Sequence, residues 1–367
     1  MKVVIAGGGT AGHVFPAVAL ADRLAADHDA AVEFIGSSSG QEATLVPAAG
    51  YVLHGIAAAP LRREVSIESA KAPIVAAGSI GACRPFVRNA DVVVGMGGYA
   101  SVAAVLAARR AHVPVVLHEQ NAVPGLANRL LARLARSVGV SFADAAARFP
   151  KRVAVAVTGN PVRAQVRAVA TMRTALAAEA WGALGLDPGR STVVVFGGSQ
   201  GALHVDQTVA GALVGLADRS DLQLLVLAGR EKVDVVEQAA GRPMALRVSA
   251  LPYLERMELA YAVADLAVAR AGATSIAELT VCGIPSILIP YPHATEDHQT
   301  ANARELVRAG AADLYPDADL SPEGLARRVL ELVDDDARRA AMGERAAAWS
   351  TPDADERLAA LVGEAVR

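Results

Sequence analysis

Short, almost unbroken apolar runs recur along this chain, and between them apolar residues return every three or four positions. In the first half KVVIA, AVEFIG, YVLHGIAA, DVVVGMGG, PVVLHEQ, SVGVSF and VAVTGNPV read as strands. AVALADRLAAD, SGQEATLVPAAG, SVAAVLAARRA and ANRLLARLA read as helices between them. A strand that is apolar throughout, rather than at alternate positions, is buried on both faces, as in a parallel sheet covered by helices. Near residue 161 the rhythm pauses at GNPVRAQV, passes through a polar, Ala-rich helix, and restarts. TVVVFGGSQGA, LQLLVLAG, ALRVSALP, ADLAVARAG, PSILIPYP and AADLYP then supply a second set of strands.

The pattern predicts an α/β fold of two Rossmann-like, doubly wound parallel-sheet domains facing a cleft, with ligands outside the carboxyl ends of the strands. The expected boundaries are 1–162 for the first domain and 163–341 for the second, with a C-terminal helix, 342–367, returning to the first.

Composition narrows the function. The 367 residues carry a net charge of −3, which counts against a general nucleic-acid binder, whose domain is normally strongly basic. The two cysteines, Cys83 and Cys282, match no metal-ligand spacing and read as buried thiols in a reducing compartment. The apolar run after Met1 is too short for a signal peptide, and no segment offers ~18 uninterrupted apolar residues, so a cytoplasmic protein is expected, free to rest on a membrane surface.

Candidate chemistry gathers where strands meet helices. GGGTAGH, residues 7–13, follows the first strand; its glycines permit tight turns and close backbone approach, and the helix start offers N–H groups to an anion. Gly7, Gly9 and Gly12 fit GxGxxG, yet the acidic ribose partner of a nicotinamide site is missing where the second strand ends in FIGSSSG. The turn is open to a dinucleotide, a phosphate, a sugar or a purely structural role. His13, beside the helix N-terminus, is a candidate general base held neutral by that terminus. GGSQGA, 197–202, repeats the glycine turn in the second half without the lysine of an ATPase loop. RAGATSIAEL, 270–279, opens a helix at Ala273, where phosphate can bind, with Glu278 one turn in as a candidate for ribose hydroxyls. PYPHATEDHQ, 290–299, is a polar loop suited to sugar hydroxyls; the spacing of His293, Asp297 and His298 matches no familiar zinc site, and no metal is expected.

Taken together and in order, GGGTAGHVFPAVALADRL, GMGGYAS, VVLHEQNAVPGLANR, TGNPVR, VFGGSQGA, ARAGATSIAEL and PYPHATEDHQTANA resemble the MurG family of bacterial peptidoglycan N-acetylglucosaminyltransferases over essentially the whole chain. The resemblance implies the two-domain glycosyltransferase-B architecture. It implies transfer of GlcNAc from the donor substrate UDP-GlcNAc to the C4 hydroxyl of MurNAc in lipid I, the undecaprenyl-diphosphate-linked MurNAc-pentapeptide, with inversion, giving lipid II. No cofactor is implied. Thr10, Ala11 and Gly12 would lie near donor sugar and acceptor, and Asn121 would contact the donor GlcNAc. Arg163 and Ser199 would lie against the nucleotide, and Leu254 would offer its backbone to uracil. Ala273, Thr274, Ser275, Ile276, Ala277 and Glu278 would wrap diphosphate and ribose, with His298 and Gln299 at the sugar. His13, Glu278 and Asn121 form the expected catalytic set. Ala11 stands where the family commonly has glycine, and His298 where some members have glutamine.

A lipid-linked acceptor requires contact with a membrane. The segment 61–88, with five basic and two acidic residues between apolar stretches, is the expected patch for anionic lipid at the cytoplasmic face of the cell membrane. Cell-wall synthesis and division proteins are further partners that the resemblance admits. The rival readings are a UDP-sugar transferase with another acceptor, a scaffold that only binds lipid I, and a dehydrogenase.

Overall fold

The computed structural model describes residues 1–56, 78–198, 202–229 and 232–367. The chain divides into two units, Met1–Arg163 with Thr351–Arg367, and Ala164–Ser350. Each run read as a strand from its apolar pattern forms one, and every strand pairing is parallel.

The first unit holds β1 (Lys2–Ala6), β2 (Ala31–Ser37), β3 (Val52–Ile56), β4 (Val92–Gly95), β5 (Val115–Glu119), β6 (Ser137–Val140) and β7 (Ala154–Val157). They form one sheet in the order β3-β2-β1-β4-β5-β6-β7. Val3, Ile5, Val92, Val94 and Val116 pack against Val14, Leu20 and Leu24 of the helix Ala11–His28. Leu358 and Val362 of the C-terminal helix Ala354–Val366 complete that core. Truncating any of these fully buried leucines to alanine costs about 2–5 kcal/mol.

The second unit holds β8 (Ser191–Phe196), β9 (Leu222–Leu227), β10 (Arg247–Leu251), β11 (Leu266–Ala269), β12 (Ser286–Leu288) and β13 (Ala312–Leu314), in the order β10-β9-β8-β11-β12-β13. Val193, Val195, Leu224, Val226, Val268 and Ile287 pack on Val205, Val209 and Leu213 of the helix Leu203–Leu216 and on Leu325 and Val329 of the helix Pro322–Val333. In both sheets the strand order reverses beside the first strand, between β1 and β4 and between β8 and β11. The connections there leave in opposite directions, which opens a crevice at the carboxyl ends of the strands.

The return to the first unit falls at Thr351, not at 342. The helix Asp336–Trp349 stays with the second unit because its Gly343 lies against Gly283, where a Cβ would stand 2.7 Å from the Gly283 carbonyl oxygen. The helical pattern of 336–366 is nearly continuous, so the change of partner shows only at Ser350, whose extended backbone (φ −63°, ψ 159°) ends the helix. Thr351 then packs on Gly159; with φ +76° and only 2.6 Å between a notional Cβ and the Thr351 Cβ, position 159 requires glycine.

Candidate functional site

In the first unit three loops meet at the ends of adjacent strands. After β1 the chain turns through Gly8 (φ +149°) and Gly9 (φ +93°) into the helix at Ala11. After β4 it turns through Gly97 (φ +98°) and Gly98 (φ +79°) into the helix Gly98–Arg110. A Cβ on Gly98 would stand 2.6 Å from the Gly8 carbonyl oxygen, and one on Gly97 would stand 2.9 Å from Cδ2 of His13. The His13 ring therefore turns its Cδ2–Nε2 edge toward the second turn. Its Nδ1 is 3.2 Å from the Thr10 hydroxyl, a hydrogen bond that either the ring or the hydroxyl can donate.

The third loop follows β5. Glu119, 3% exposed, accepts from the Asn121 N–H (3.0 Å), the Asn128 side chain (2.8 Å), the Gly125 N–H (3.2 Å) and the Asn121 side chain (3.4 Å). Burial raises its pKa, and these four donors pull it back. Asn121 is thus oriented by an acid two residues before it. His118 is fully buried and donates from Nε2 to the Gly159 carbonyl (3.0 Å). Its pKa is lowered to about 4, chiefly by burial, with the Gly159 bond opposing and the charge of His13 adding a smaller lowering, so the imidazole is neutral near pH 7. The Arg163 guanidinium stacks 4.0 Å over the Phe15 ring, in the same unit.

In the second unit the helix Ala273–Val281 starts directly after β11. Its N-cap is Gly272, extended at φ −67° and ψ 143°, with no side chain to cap it and no carboxylate in the first turn. Ala273, Thr274 and Ser275 occupy the three leading positions, and Ile276 is the first residue to donate back along the helix, to the Gly272 carbonyl at 2.9 Å. Ala277 follows. The far end of this helix is held by Arg173, which donates to the Cys282 carbonyl (2.7 Å) and to the Ala264 carbonyl (3.2 Å), a cation at the negative pole of the helix dipole. Glu278 is buried, and its Oε2 accepts from the Tyr261 hydroxyl at 2.8 Å.

The polar loop after β12 carries two consecutive residues in the left-handed region, Glu296 (φ +54°) and Asp297 (φ +51°), a strained turn that delivers the chain into the helix His298–Arg308. His298 donates from Nδ1 to the Thr295 carbonyl at 2.8 Å, and Gln299 accepts the Tyr291 N–H at 2.9 Å. Asn302, fully buried, donates to the Ala271 carbonyl (3.2 Å) and so ties this helix to the loop before Ala273. Leu254 sits half-buried in the loop between β10 and the helix Met257–Val263. Ser199 and residues 61–77 of the basic segment lie outside the described residues. Among the described residues no group of three or more His, Cys, Asp and Glu is arranged to hold a metal ion. Both cysteines are free and buried, and burial raises their pKa values, that of Cys83 to about 11.

Thr10, Ala11, Gly12, His13 and Asn121 thus follow the carboxyl ends of strands in the first unit's sheet, and Ala273–Glu278, His298 and Gln299 follow those of the second unit's sheet. Residue patterns alone do not single out Glu119, Arg173, Tyr261 or Asn302 as site residues. Glu119, Arg173 and Tyr261 carry one signal, a polar side chain inside or beside an apolar stretch, as with Tyr261 in MELAYAVADLAV, whereas Asn302 lies in the polar run DHQTANARE and carries none.

The profile described as the glycosyltransferase family 28 N-terminal domain matches residues 3–140, and that of the family 28 C-terminal domain matches residues 192–358. Two parallel α/β units carrying these profiles define a glycosyltransferase of the GT-B class. Among similar proteins, the UDP-N-acetylglucosamine--N-acetylmuramyl-(pentapeptide) pyrophosphoryl-undecaprenol N-acetylglucosamine transferase of Acidothermus cellulolyticus is 44% identical, covering 100% of this chain and 98% of its own. The Mycolicibacterium smegmatis enzyme of the same name is 41% identical over 100% of this chain and 94% of its own. The crystal structure of Acinetobacter baumannii MurG aligns at a TM-score of 0.77 with 26% identity over 99% of both chains. The chain belongs to the MurG family. A UDP-GlcNAc 2-epimerase from Neisseria meningitidis, 14% identical at a TM-score of 0.71 and 99% coverage of this chain, shares the fold.

Proposed function

We infer that the chain transfers GlcNAc from UDP-GlcNAc to lipid I and so forms lipid II. The observation that carries this is the end-to-end identity with transferases of that name, spanning both units and their glycine-rich strand ends. The acceptor atom is the C4 hydroxyl of MurNAc, and the anomeric centre inverts. The bond from C1 to the UDP oxygen breaks as the bond from C1 to the hydroxyl oxygen forms, and the hydroxyl proton passes to Nε2 of His13. UDP leaves with its negative charge facing the N–H groups at Ala273–Ser275, where donors fixed before reaction are worth most. Arg163 and Ser199 add to that field. Glu278 accepts the ribose hydroxyls, Leu254 meets uracil, Asn121, His298 and Gln299 read the sugar, and Thr10, Ala11 and Gly12 line the acceptor side. The carbon that reacts undergoes substitution, not a hydride transfer, so the chemistry calls for no redox cofactor.

Peripheral contact with the anionic cytoplasmic face of the cell membrane fits the same reading. No helix among the described residues is long and apolar enough to cross a membrane. In the first unit Leu126 and Leu130, one turn apart on the helix Leu126–Leu131, are 58% and 54% exposed and are followed by the exposed Arg133. Exposed Arg84 and Arg88 add charge on the described part of the 61–88 segment. Apolar side chains beside cations suit a lipid headgroup surface.

The test is UDP release from UDP-GlcNAc with and without a lipid I analogue. Release that depends on the analogue, with lipid II as product, is expected. Equal rates in both arms reject the acceptor, and binding of the analogue without release at all leaves a scaffold.

A further inference from the structure

Glu42 lies just beyond β2, 1% exposed, and turns back into the first glycine turn. Its Oε2 accepts the Gly9 N–H and its Oε1 the Ser37 N–H, each at 2.8 Å. Its neighbour Gln41 accepts the Ala11 N–H through Oε1 at 2.6 Å. These N–H groups of the turn and helix start are ones that a nucleotide-binding turn would aim at a phosphate. Three glycines clear the space: a Cβ on Gly8, Gly36 or Gly40 would stand 2.1, 2.7 or 2.3 Å from the Glu42 side chain. From Gly9 the chain runs directly to Thr10, whose carbonyl accepts the His13 N–H at 3.0 Å and whose hydroxyl meets the His13 ring.

We propose that Glu42 is a positioning residue for the transfer: a built-in carboxylate, flanked by Gln41, fills the seat that a bound phosphate would take in this turn and thereby holds Thr10 and His13 in place. The proposal rests on the reading that His13 accepts the proton. It also has a consequence for the acceptor: its diphosphate is kept off the Gly9 and Ala11 amides.

The chemistry sets the test. Both Glu42 oxygens accept from N–H groups, so Glu42→Gln matches the shape yet turns one acceptor into a donor facing a donor. Glu42→Ala removes four heavy atoms, which leaves room for formate. We measure kcat and both KM values for the whole chain, thermal unfolding, the effect of formate, and each Glu42 change in a His13→Ala background. Lipid II formation by the unchanged chain is read first; its absence defeats the transferase reading, whatever the Glu42 variants do. Expected is a kcat about 10²-fold lower for Glu42→Gln with donor KM nearly unchanged, the scale of a 1 Å misplacement near the reacting atoms. Formate restores part of the rate of Glu42→Ala and none of that of Glu42→Gln. In the His13→Ala background Glu42→Gln lowers kcat little further, since groups acting as a unit are not additive. Full additivity, an unchanged kcat, or no rescue by formate overturns the proposal. Should neither Glu42 variant fold, Gln41→Ala decides: a several-fold loss of kcat supports it and an unchanged kcat overturns it.

Discussion

Each unit buries a carboxylate beside the turn that follows its first strand, and the two are held in opposite ways. Glu42 spends each oxygen on a backbone N–H. Asp206, equally buried in the first turn of the helix Leu203–Leu216, has no partner in hydrogen-bond geometry at either oxygen among the described residues. Burial lifts its pKa to about 6; Lys232, the nearby Ala202 N–H and Arg270 pull it down by less. The first turn is closed on its own anion, a rigid seat for a base. The second unit instead offers donors at Gly272 and Ala273, where no side chain caps the helix. This contrast fits the proposed mechanism, in which the proton is taken in the first unit and the nucleotide is held in the second. Substitutions near His13 should register in kcat, and those near Glu278 in donor KM.

The largest effect that can break this division is His13→Ala, expected to lower kcat by about 10²–10⁴-fold, the range of lost general-base catalysis, with donor KM little changed. A kcat near that of the unchanged chain would remove His13 as the base. Next comes Glu278→Ala. Hydrogen bonds to a charged group contribute about 1.5–3 kcal/mol, so donor KM should rise roughly 10–100-fold while kcat holds. A loss confined to kcat would move Glu278 out of the ribose site and undo the assignment of the nucleotide to the second unit.

The fold was legible because both sheets are parallel and buried: apolar runs such as VVIA and VVVF can be nothing else between amphipathic helices. The glycine turns and the helix at Ala273 were legible for the same reason, since their residues are consecutive. What holds them was not. Glu42 acts on Gly9 across 33 positions, Tyr261 on Glu278 across 17 and Asn302 on Ala271 across 31. Nothing in local spacing marks a buried polar side chain as the partner of a distant loop. Glu119 was hidden differently: it stands inside HEQN, where Asn121 drew attention, yet it is the acid that orients that asparagine. The return at Thr351 was hidden because a helix that changes unit keeps its periodicity.

Asp206→Asn sharpens the contrast between the two buried acids. With a folded pKa of about 6 against 3.8 unfolded, the neutral carboxyl favours the folded state. Asp206 thus leaves stability undiminished below about pH 4, where it is neutral in both states; the penalty grows as pH rises from 4 to 6 and is constant above. Asparagine carries no charge to bury, so the variant should be more stable than the unchanged chain by about 2–3 kcal/mol at pH 8 and no more stable at pH 4. Denaturant unfolding at the two pH values measures this. A pH-independent difference would mean that Asp206 is ionised and satisfied in the folded protein.

Tyr261→Phe is the smallest and most discriminating change. The ring is 1% exposed and makes an edge contact with Phe196 at 6.0 Å between centroids, both of which phenylalanine keeps. Only the hydroxyl donated to Oε2 of Glu278 is lost. A carboxylate that accepts two ribose hydroxyls must present both oxygens in one plane, and losing one donor frees it to turn. That bond too is made to a charged group, about 1.5–3 kcal/mol, but only the part that loosens the ribose contact reaches the substrate, so a several-fold rise in donor KM with kcat unchanged is expected. Glu278→Ala supplies the control: in that background Tyr261→Phe should add nothing to KM, because the hydroxyl acts only through the carboxylate. An equal rise in both backgrounds would mean that Tyr261 shapes the second unit by packing, and that Glu278 is set in place by the helix Ala273–Val281 alone.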